Sequence, residues 1–301
     1  MDSNFPEYLE ITPSEDYDAK HRDWTPAFNV AAQAIAIQKY GIAGRVWEAA
    51  YVLLRYLSEL DSQSSELDPQ NSEPFFTVLN GPITLLELGS GTGIVGIGLV
   101  KALALTEHKD YRVILTDLPD VCPLLQDNLR LYPSLLDAGV VSVAPLAWGR
   151  REHVSAIVQF LGGRPLTHII CSDLAPQVYF PELLAPLLRT LIDLTSIQPA
   201  SQIIISYKVR SLVKETPFWG AFGLWFAFAP ILSRASPEGT WTRVGVDAGV
   251  FVFRAYRLPE SLGWTPPDDD DALLGGVGAG KTAERKTDET FELLLLMGLE
   301  E

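Results

Sequence analysis

ITLLELGSGTGI, residues 83–94, is the segment from which the architecture of this 301-residue chain can be predicted. The apolar run 83–88 is typical of a buried β-strand, and residues 94–105 have the composition of a helix. The glycines between them let the backbone turn tightly and approach a ligand closely. Free N–H groups at the start of the helix can bind an anionic group. The segment therefore predicts a strand, a turn and a helix, with a ligand at the turn.

Two acidic residues at the ends of neighbouring predicted strands narrow the choice of ligand. Glu87 stands two residues before the first glycine, and Asp117 ends the next predicted strand, 113–117. A carboxylate in the second position can accept hydrogen bonds from ribose hydroxyls. An acid at both strand ends is typical of class I methyltransferases that bind S-adenosylmethionine. A dinucleotide site stays open as the alternative, because Gly91 to Gly96 also fits Gly-x-Gly-x-x-Gly.

Apolar strands alternate with helix-like segments along most of the chain. After the first strand, the sequence predicts strands at 113–117, 140–144, 168–173, 203–207, 222–232 and 249–257. This alternation is typical of an α/β fold with a doubly wound, mostly parallel sheet and helices on both faces. The two final strands lie close together in sequence, which indicates an antiparallel edge.

Charge and composition limit the classes of partner. The chain has 23 basic and 38 acidic residues, a formal net charge of −15. A protein that follows a nucleic-acid backbone needs basic surface, so no nucleic-acid partner is expected, and a basic protein fits better. The histidines and the two cysteines lack metal-ligand spacing, so no metal is expected. No leader segment or membrane span is recognisable, which predicts a cytoplasmic protein.

The sequence divides into three predicted segments. Residues 1–40 are expected to be an N-terminal extension, 41–258 the S-adenosylmethionine-dependent domain, and 259–301 an acidic tail. The tail has 11 acidic and 3 basic residues and is rich in glycine and proline, so it is predicted to be mostly disordered. Within it, Gly275 to Thr282 fits the P-loop pattern, but four aspartates precede it instead of a buried strand. We interpret this match as coincidence.

Five short motifs carry a resemblance to a known family. They are VWEAA at 46–50, ELGSGTG at 87–93, TDLP at 116–119, LAWG at 146–149 and SD at 172–173. In this order they make residues 41–258 resemble the seven-β-strand protein lysine methyltransferases that modify elongation factors and chaperones, in particular those of fungi that modify elongation factors. The resemblance implies the sheet order 3-2-1-4-5-7-6 with an antiparallel strand 7. It also implies S-adenosyl-L-methionine as cofactor and a protein substrate of the elongation factor 1-alpha type. The enzyme is expected to be a monomer.

The resemblance also implies which residues bind the cofactor. Trp47 and Trp148 would border it, and residues of the glycine turn and the two strand ends would surround its amino acid and ribose parts. The cofactor-binding residues implied in this way are Trp47, Glu87, Gly89, Ser90, Gly91, Thr92, Gly93, Asp117, Trp148 and Ser172.

Two residues after the fourth strand are implied to be catalytic. The family has Asp-x-x-Tyr there, whereas this sequence has Asp173 and Tyr179 separated by five residues. Removing Ala175, Pro176 and Gln177 would restore the family spacing. The resemblance implies that Asp173 orients the lysine amine and that Tyr179 lines its channel. The altered spacing leaves one alternative, a methyltransferase-like binding module with impaired catalysis.

Overall fold

A seven-stranded sheet forms the centre of the computed structural model. The structure describes residues 5, 9–14, 25–59, 66–67, 81–106, 109–174, 179–234 and 239–297. The strands of the central sheet are β1 Ile83–Leu88, β2 Tyr111–Asp117, β3 Val141–Pro145, β4 His168–Ser172, β5 Gln202–Lys208, β6 Phe226–Pro230 and β7 Val250–Arg257.

The order of the strands confirms the predicted fold class. Across the sheet they lie in the order 3-2-1-4-5-7-6. Strands β1 to β5 are parallel to one another, and β7 is antiparallel to both β5 and β6. A second, small sheet is formed by Glu66–Leu67, Leu232–Arg234 and Thr242–Arg243.

Helices cover both faces of the central sheet. They are α1 Thr25–Phe28, α2 Val30–Tyr40, α3 Glu48–Glu59, α4 Ile94–Leu105, α5 Cys122–Arg130, α6 Pro133–Asp137, α7 Arg151–Leu161, α8 Leu184–Ile197, α9 Leu212–Trp225, α10 Asp270–Leu274 and α11 Thr290–Met297. Within the described ranges, none of them is long and apolar enough to cross a membrane.

Strand β1 shows how the sheet separates two hydrophobic cores. All six of its residues are buried. Leu86 and Leu88 pack with α7, α8 and α9, whereas Ile83 and Leu85 pack with α3 and α4 on the opposite face. Successive strand residues point to opposite faces, so a continuous apolar run is what a strand buried on both sides requires.

The strand predicted at 222–232 is wrong at its start. Helix α9 continues to Trp225, and strand β6 begins only at Phe226. The residues on both sides of this boundary are almost all apolar. A continuous apolar run does not distinguish a buried helix from a buried strand, and the periodicity carries no signal there.

The prediction that residues 259–301 are mostly disordered is wrong for the described part of the tail, residues 259–297. Phe291 is fully buried, and its ring stacks on Trp219 with the ring centres 4.8 Å apart. The guanidinium of Arg189 donates to the backbone oxygens of Pro267 and Asp268 at 2.6 and 3.1 Å and to the Asp270 carboxylate at 2.8 Å.

The position of the tail's charges explains the error. The aspartates lie at the N-terminus of α10, where the helix dipole favours negative charge, and Asp269 accepts a hydrogen bond from the Ala272 N–H at 2.7 Å. Arg189 is almost fully buried and supplies an opposite charge. Composition counts these charges but does not show what neutralises them.

The P-loop match in the tail has a different structural context from a P-loop. Helix α10, and not a buried strand, precedes Gly275. The Gly278 N–H donates to the Thr282 carbonyl at 2.9 Å, and the Lys286 N–H donates to the Gly275 carbonyl at 3.0 Å. The segment is thus a turn closed by its own backbone.

Truncating the buried ring of the tail should destabilise the whole domain. We expect Phe291→Ala to lower the free energy of unfolding by about 3–5 kcal/mol, the usual cost of removing a buried aromatic side chain. Leu296 lies on the same helix and is 61% exposed, so Leu296→Ala is the matched control and should change stability by less than about 0.5 kcal/mol. Urea unfolding of both variants measures the difference. Equal stabilities would show that the tail does not belong to the core.

Candidate active site

A cavity opens at the edge of the sheet where the parallel strands β1, β2 and β4 end. Ten residues that the sequence singled out line it: Trp47, Glu87, Gly89, Ser90, Gly91, Thr92, Asp117, Trp148, Ser172 and Asp173. Ligands of open α/β sheets bind outside the carboxyl ends of the strands, so this is the expected position for a binding site. The structure therefore brings most of the predicted site residues together.

The turn after β1 requires glycine at Gly91. Its φ is +52°, in the left-handed region. A Cβ atom at this position would lie 3.0 Å from the carbonyl oxygen of Ala43. Ala43 belongs to a short 3-10 helix, Gly41–Gly44, that also lines the cavity. The turn and this helix thus pack so tightly that a side chain at Gly91 would displace one of them.

Asp117 fixes the same turn from β2. Its Oδ2 accepts a hydrogen bond from the Gly91 N–H at 2.7 Å, and its Oδ1 accepts one from the Leu118 N–H at 2.7 Å. Burial raises the pKa of this carboxyl to about 6. Each carboxylate oxygen can accept a further hydrogen bond, so Asp117 can hold the turn and still bind a hydroxyl in the cavity.

Glu87 and Ser90 connect the turn to its neighbours. The Oε2 of Glu87 accepts a hydrogen bond from the Gly96 N–H in helix α4 at 3.1 Å. The Ser90 hydroxyl accepts from the Thr116 N–H in β2 at 3.1 Å. Both residues line the cavity, and both also fix the local backbone.

The buried carboxyl of Glu87 predicts a pH dependence of stability. Burial raises its pKa from the ordinary 4.5 to about 8, so the folded protein holds this proton to higher pH than the unfolded chain does. The stability from the protonated form is full below pH 4.5 and is lost as the pH rises toward about 8. Glu87→Gln should therefore be more stable than the parent at about pH 8.5 by roughly 1–3 kcal/mol, with a smaller difference at about pH 5. Urea unfolding of the ligand-free proteins measures this, with the exposed Glu284→Gln as control. A difference that does not change with pH would contradict the prediction.

Trp47 is held at the cavity by the segment before α3. Its indole N–H donates to the Ile42 carbonyl at 3.0 Å. The buried amide of Gln33 accepts a hydrogen bond from the Val46 N–H at 2.9 Å and so anchors this segment to α2. The guanidinium of Arg45 lies 4.4 Å from the centre of the Trp47 ring.

Trp148 is positioned by the loop after β3. The Ala147 N–H donates to His153 Nδ1 at 2.9 Å, and the Gly149 N–H donates to the Thr190 hydroxyl at 2.8 Å. A Cβ atom at Gly89 would lie 3.1 Å from the Trp148 ring. The indole therefore packs directly on the glycine turn.

At the end of β4, Asp173 forms a buried ion pair that the sequence did not predict. Its two oxygens accept hydrogen bonds from the two terminal nitrogens of Arg210, at 2.6 and 2.7 Å. Burial acts to lower the pKa of Arg210, but the hydrogen bond with Asp173 raises it above its ordinary value. The carboxylate expected to orient a substrate amine is thus already engaged by a guanidinium.

The remaining predicted residues have other positions. Gly93 caps the N-terminus of α4 with a φ of +82°, and its N–H donates to the Ser90 carbonyl at 2.7 Å. The ring of Tyr179 is centred 6.3 Å from that of Trp47. Residues 175–178, which include the proposed insertion Ala175 to Gln177, lie outside the described residues.

Sequence reasoning missed Arg210 and Glu48. The Glu48 carboxylate pairs with Arg45 at 2.7 Å and lies 3.6 Å from Arg210. Burial acts to raise the pKa of Glu48, but the hydrogen bond from Arg45 holds it below its ordinary value. A signal for Arg210 was present: it follows the strand next to β4, so it emerges at the same edge of the sheet.

Ser172, at the end of β4, lines the cavity. Its Oγ is buried and has no hydrogen-bond partner among the described residues. Buried polar groups in proteins are usually paired, so this hydroxyl is free to pair with a polar group of a ligand. In the described parts of the chain, histidine, cysteine and acidic side chains do not gather into a group that could hold a metal ion.

Comparison with known proteins gives one family. Residues 32–221 match a family model described as lysine methyltransferase. The matched region begins in α2. It includes the cavity-lining residues of the glycine turn, Trp47, Trp148 and Asp173.

Three curated relatives have similar sequences. "Protein-lysine N-methyltransferase EFM6" of Saccharomyces cerevisiae is 31% identical, over 56% of this chain and 65% of the relative. "EEF1A lysine methyltransferase 3" of Mus musculus is 34% identical, over 38% of this chain and 39% of the relative. "Protein N-lysine methyltransferase METTL21A" of Xenopus tropicalis is 31% identical, over 58% and 64%. The chain thus spans less than two thirds of the length of each.

Proposed function

The chain belongs to the lysine methyltransferase family, and from this premise we propose that it is an S-adenosyl-L-methionine-dependent protein-lysine N-methyltransferase. The proposed substrate is a lysine of a translation elongation factor of the 1-alpha type, in the cytoplasm, and the proposed enzyme is a monomer. The name of the mouse relative supports this substrate. The formal net charge of −15 also suits a basic protein partner.

The groups that surround the cavity fit the proposed cofactor. The observation that carries the proposal is the meeting of the Asp117 carboxylate, the Gly91 turn and the unpaired Ser172 hydroxyl in one cavity. Asp117 would accept hydrogen bonds from the ribose hydroxyls. The N-terminus of α4 would face the carboxylate of the methionine part. The indole faces of Trp47 and Trp148 would attract a cationic sulfonium.

The protein would contribute position and electrostatics to the reaction. S-adenosyl-L-methionine, when bound, supplies an electrophilic methyl group. A lysine amine is mostly protonated at neutral pH and must lose that proton before it can attack. Entry of the amine into the cavity beside Trp47 would remove part of its hydration, which would favour the neutral form. Asp173 would orient the amine through the lone pairs that Arg210 and the Ala49 N–H leave free, and Tyr179 would form a wall of the channel.

Binding and turnover test the proposal separately. Calorimetry on the purified chain should show saturable binding of S-adenosyl-L-methionine and none of NAD or ATP. Asp117→Asn should weaken this binding, whereas Asp137→Asn, at an exposed position, should not. Incubation with the labelled methyl donor and purified elongation factor 1-alpha should then label a lysine that mass spectrometry locates.

The possible outcomes have distinct meanings. Saturable binding of NAD without binding of the methyl donor would overturn the proposed cofactor. Binding of the methyl donor without labelling of any protein in a cell lysate would favour a catalytically impaired binding module. Labelling of a different lysate protein would keep the reaction and replace the substrate.

A further inference from the structure

Arg210 and Asp173 are brought together by two neighbouring strands. Strands β4 and β5 are parallel and pair Ser172 with Ser206, so the residues that follow them emerge at the same edge of the sheet. The Asp173 N–H donates to the Ser206 carbonyl at 2.7 Å, which prolongs the pairing by one residue. The register of the sheet thus fixes the distance between the two side chains.

The backbone of Asp173 has an unusual conformation. Its φ is +44°, in the left-handed region that residues with a side chain rarely adopt. Its side chain is fully buried, and each of its oxygens accepts one hydrogen bond from the Arg210 guanidinium. Two parallel hydrogen bonds fix the direction of the Asp173 carboxylate as well as its distance from Arg210. They therefore help to hold Asp173 in a backbone conformation that is otherwise unfavourable.

Arg210 is itself held from three sides. Its backbone N–H donates to the carboxylate of Glu215, which is fully buried, at 3.2 and 3.3 Å. Its guanidinium lies 5.1 Å from the centre of the Trp47 ring and 3.6 Å from the Glu48 carboxylate. One side chain therefore connects β4, β5 and the segment that carries the cavity's tryptophan.

We propose that Arg210 is a positioning residue for methyl transfer, which fixes the Asp173 carboxylate and the Trp47 indole relative to the cavity. This inference rests on the proposed function. It makes Asp173 a fixed negative charge beside the incoming amine, and the proton of the amine goes to solvent and not to this carboxylate. Arg210 itself acts through Asp173 and Trp47.

Two substitutions separate the geometry of Arg210 from its charge. Arg210→Gln removes the charge, and Arg210→Lys keeps it but cannot reproduce the paired hydrogen bonds. Both should lower kcat at saturating methyl donor and protein substrate, by roughly 10- to 100-fold, because small displacements of reacting groups are costly. The Kd for S-adenosyl-L-methionine should change by less than about threefold, because Arg210 is not among the residues that line the cavity and the Trp47 indole keeps its hydrogen bond to the Ile42 carbonyl.

The control is another arginine with a comparable structural role far from the cavity. Arg164 pairs with Asp110 and donates to the Ile83 carbonyl at the opposite edge of the sheet. Arg164→Lys should lower stability and leave kcat unchanged. This variant measures the loss of stability that follows when a paired arginine outside the site is replaced. A parent chain with turnover, and an Arg210→Lys variant with the parent's kcat, would overturn this inference alone. A parent without turnover would overturn the proposed function and with it this inference.

Discussion

Gly91→Arg is expected to weaken S-adenosyl-L-methionine binding at least about 100-fold and to abolish methyl transfer at ordinary cofactor concentrations. The position has a left-handed φ of +52°, and a Cβ atom would already lie 3.0 Å from the Ala43 carbonyl. An arginine side chain at this position must extend into the cavity or displace the Gly41–Gly44 helix. Either change removes the shape into which the cofactor is proposed to fit. Calorimetry measures the loss of binding.

Gly139 provides the matched control for this substitution. Its φ of +64° is equally left-handed, but a Cβ atom there would meet no other atom within 4 Å. Gly139→Arg should therefore carry the backbone strain alone, about 1–2 kcal/mol of stability, and leave cofactor binding intact. Equal affinities in the two variants would remove the glycine turn from the binding site.

Asp173→Ala is expected to lower the rate of methyl transfer at least about 100-fold while the cofactor Kd changes by less than about threefold. The Asp173 carboxylate follows the end of β4, at the same edge of the sheet as the glycine turn. Its removal therefore affects the place where the amine is proposed to enter. Removal also leaves Arg210 with only the more distant Glu48 carboxylate as an opposite charge, which should lower the free energy of unfolding by up to about 3–5 kcal/mol. Single-turnover rates and urea unfolding measure the two effects.

A double substitution separates these two effects of Asp173→Ala. Asp173→Ala with Arg210→Ala removes both charges, so it should be more stable than Asp173→Ala alone and equally slow. Methyl transfer at the parent's rate in either variant would exclude Asp173 from the reaction. Recovery of the rate together with stability would show that Asp173 matters only for folding.

The central sheet could be predicted because its inner parallel strands β1, β4 and β5 are buried on both faces. Strands such as Ile83–Leu88 and His168–Ser172 are mostly apolar runs that are followed by a glycine turn or a polar residue. The tail could not be predicted in the same way. Its single fully buried aromatic, Phe291, and its docking to Arg189 depend on a surface made by residues about 40–85 positions earlier in the chain.

The candidate site was predictable where a local motif carries the chemistry. The glycine turn, Glu87 and Asp117 can be recognised from their spacing in the sequence, and the structure places them around one cavity. Arg210 cannot be recognised in this way, because its role depends on the register between β4 and β5 and not on any neighbour in sequence. Glu48 is similar, since only the fold brings it to within 3.6 Å of Arg210.

The order of the strands has a consequence for synthesis on the ribosome. Strand β7 lies between β5 and β6, although it is the last of the three to be translated. Until residues 250–257 emerge, the nascent chain has an open edge at β5, and β6 has no hydrogen-bonded neighbour within the described sheet. Open edges of this kind invite pairing with other chains. The sheet therefore cannot be completed strand by strand in the order of translation, because β6 is made before the strand that joins it to β5.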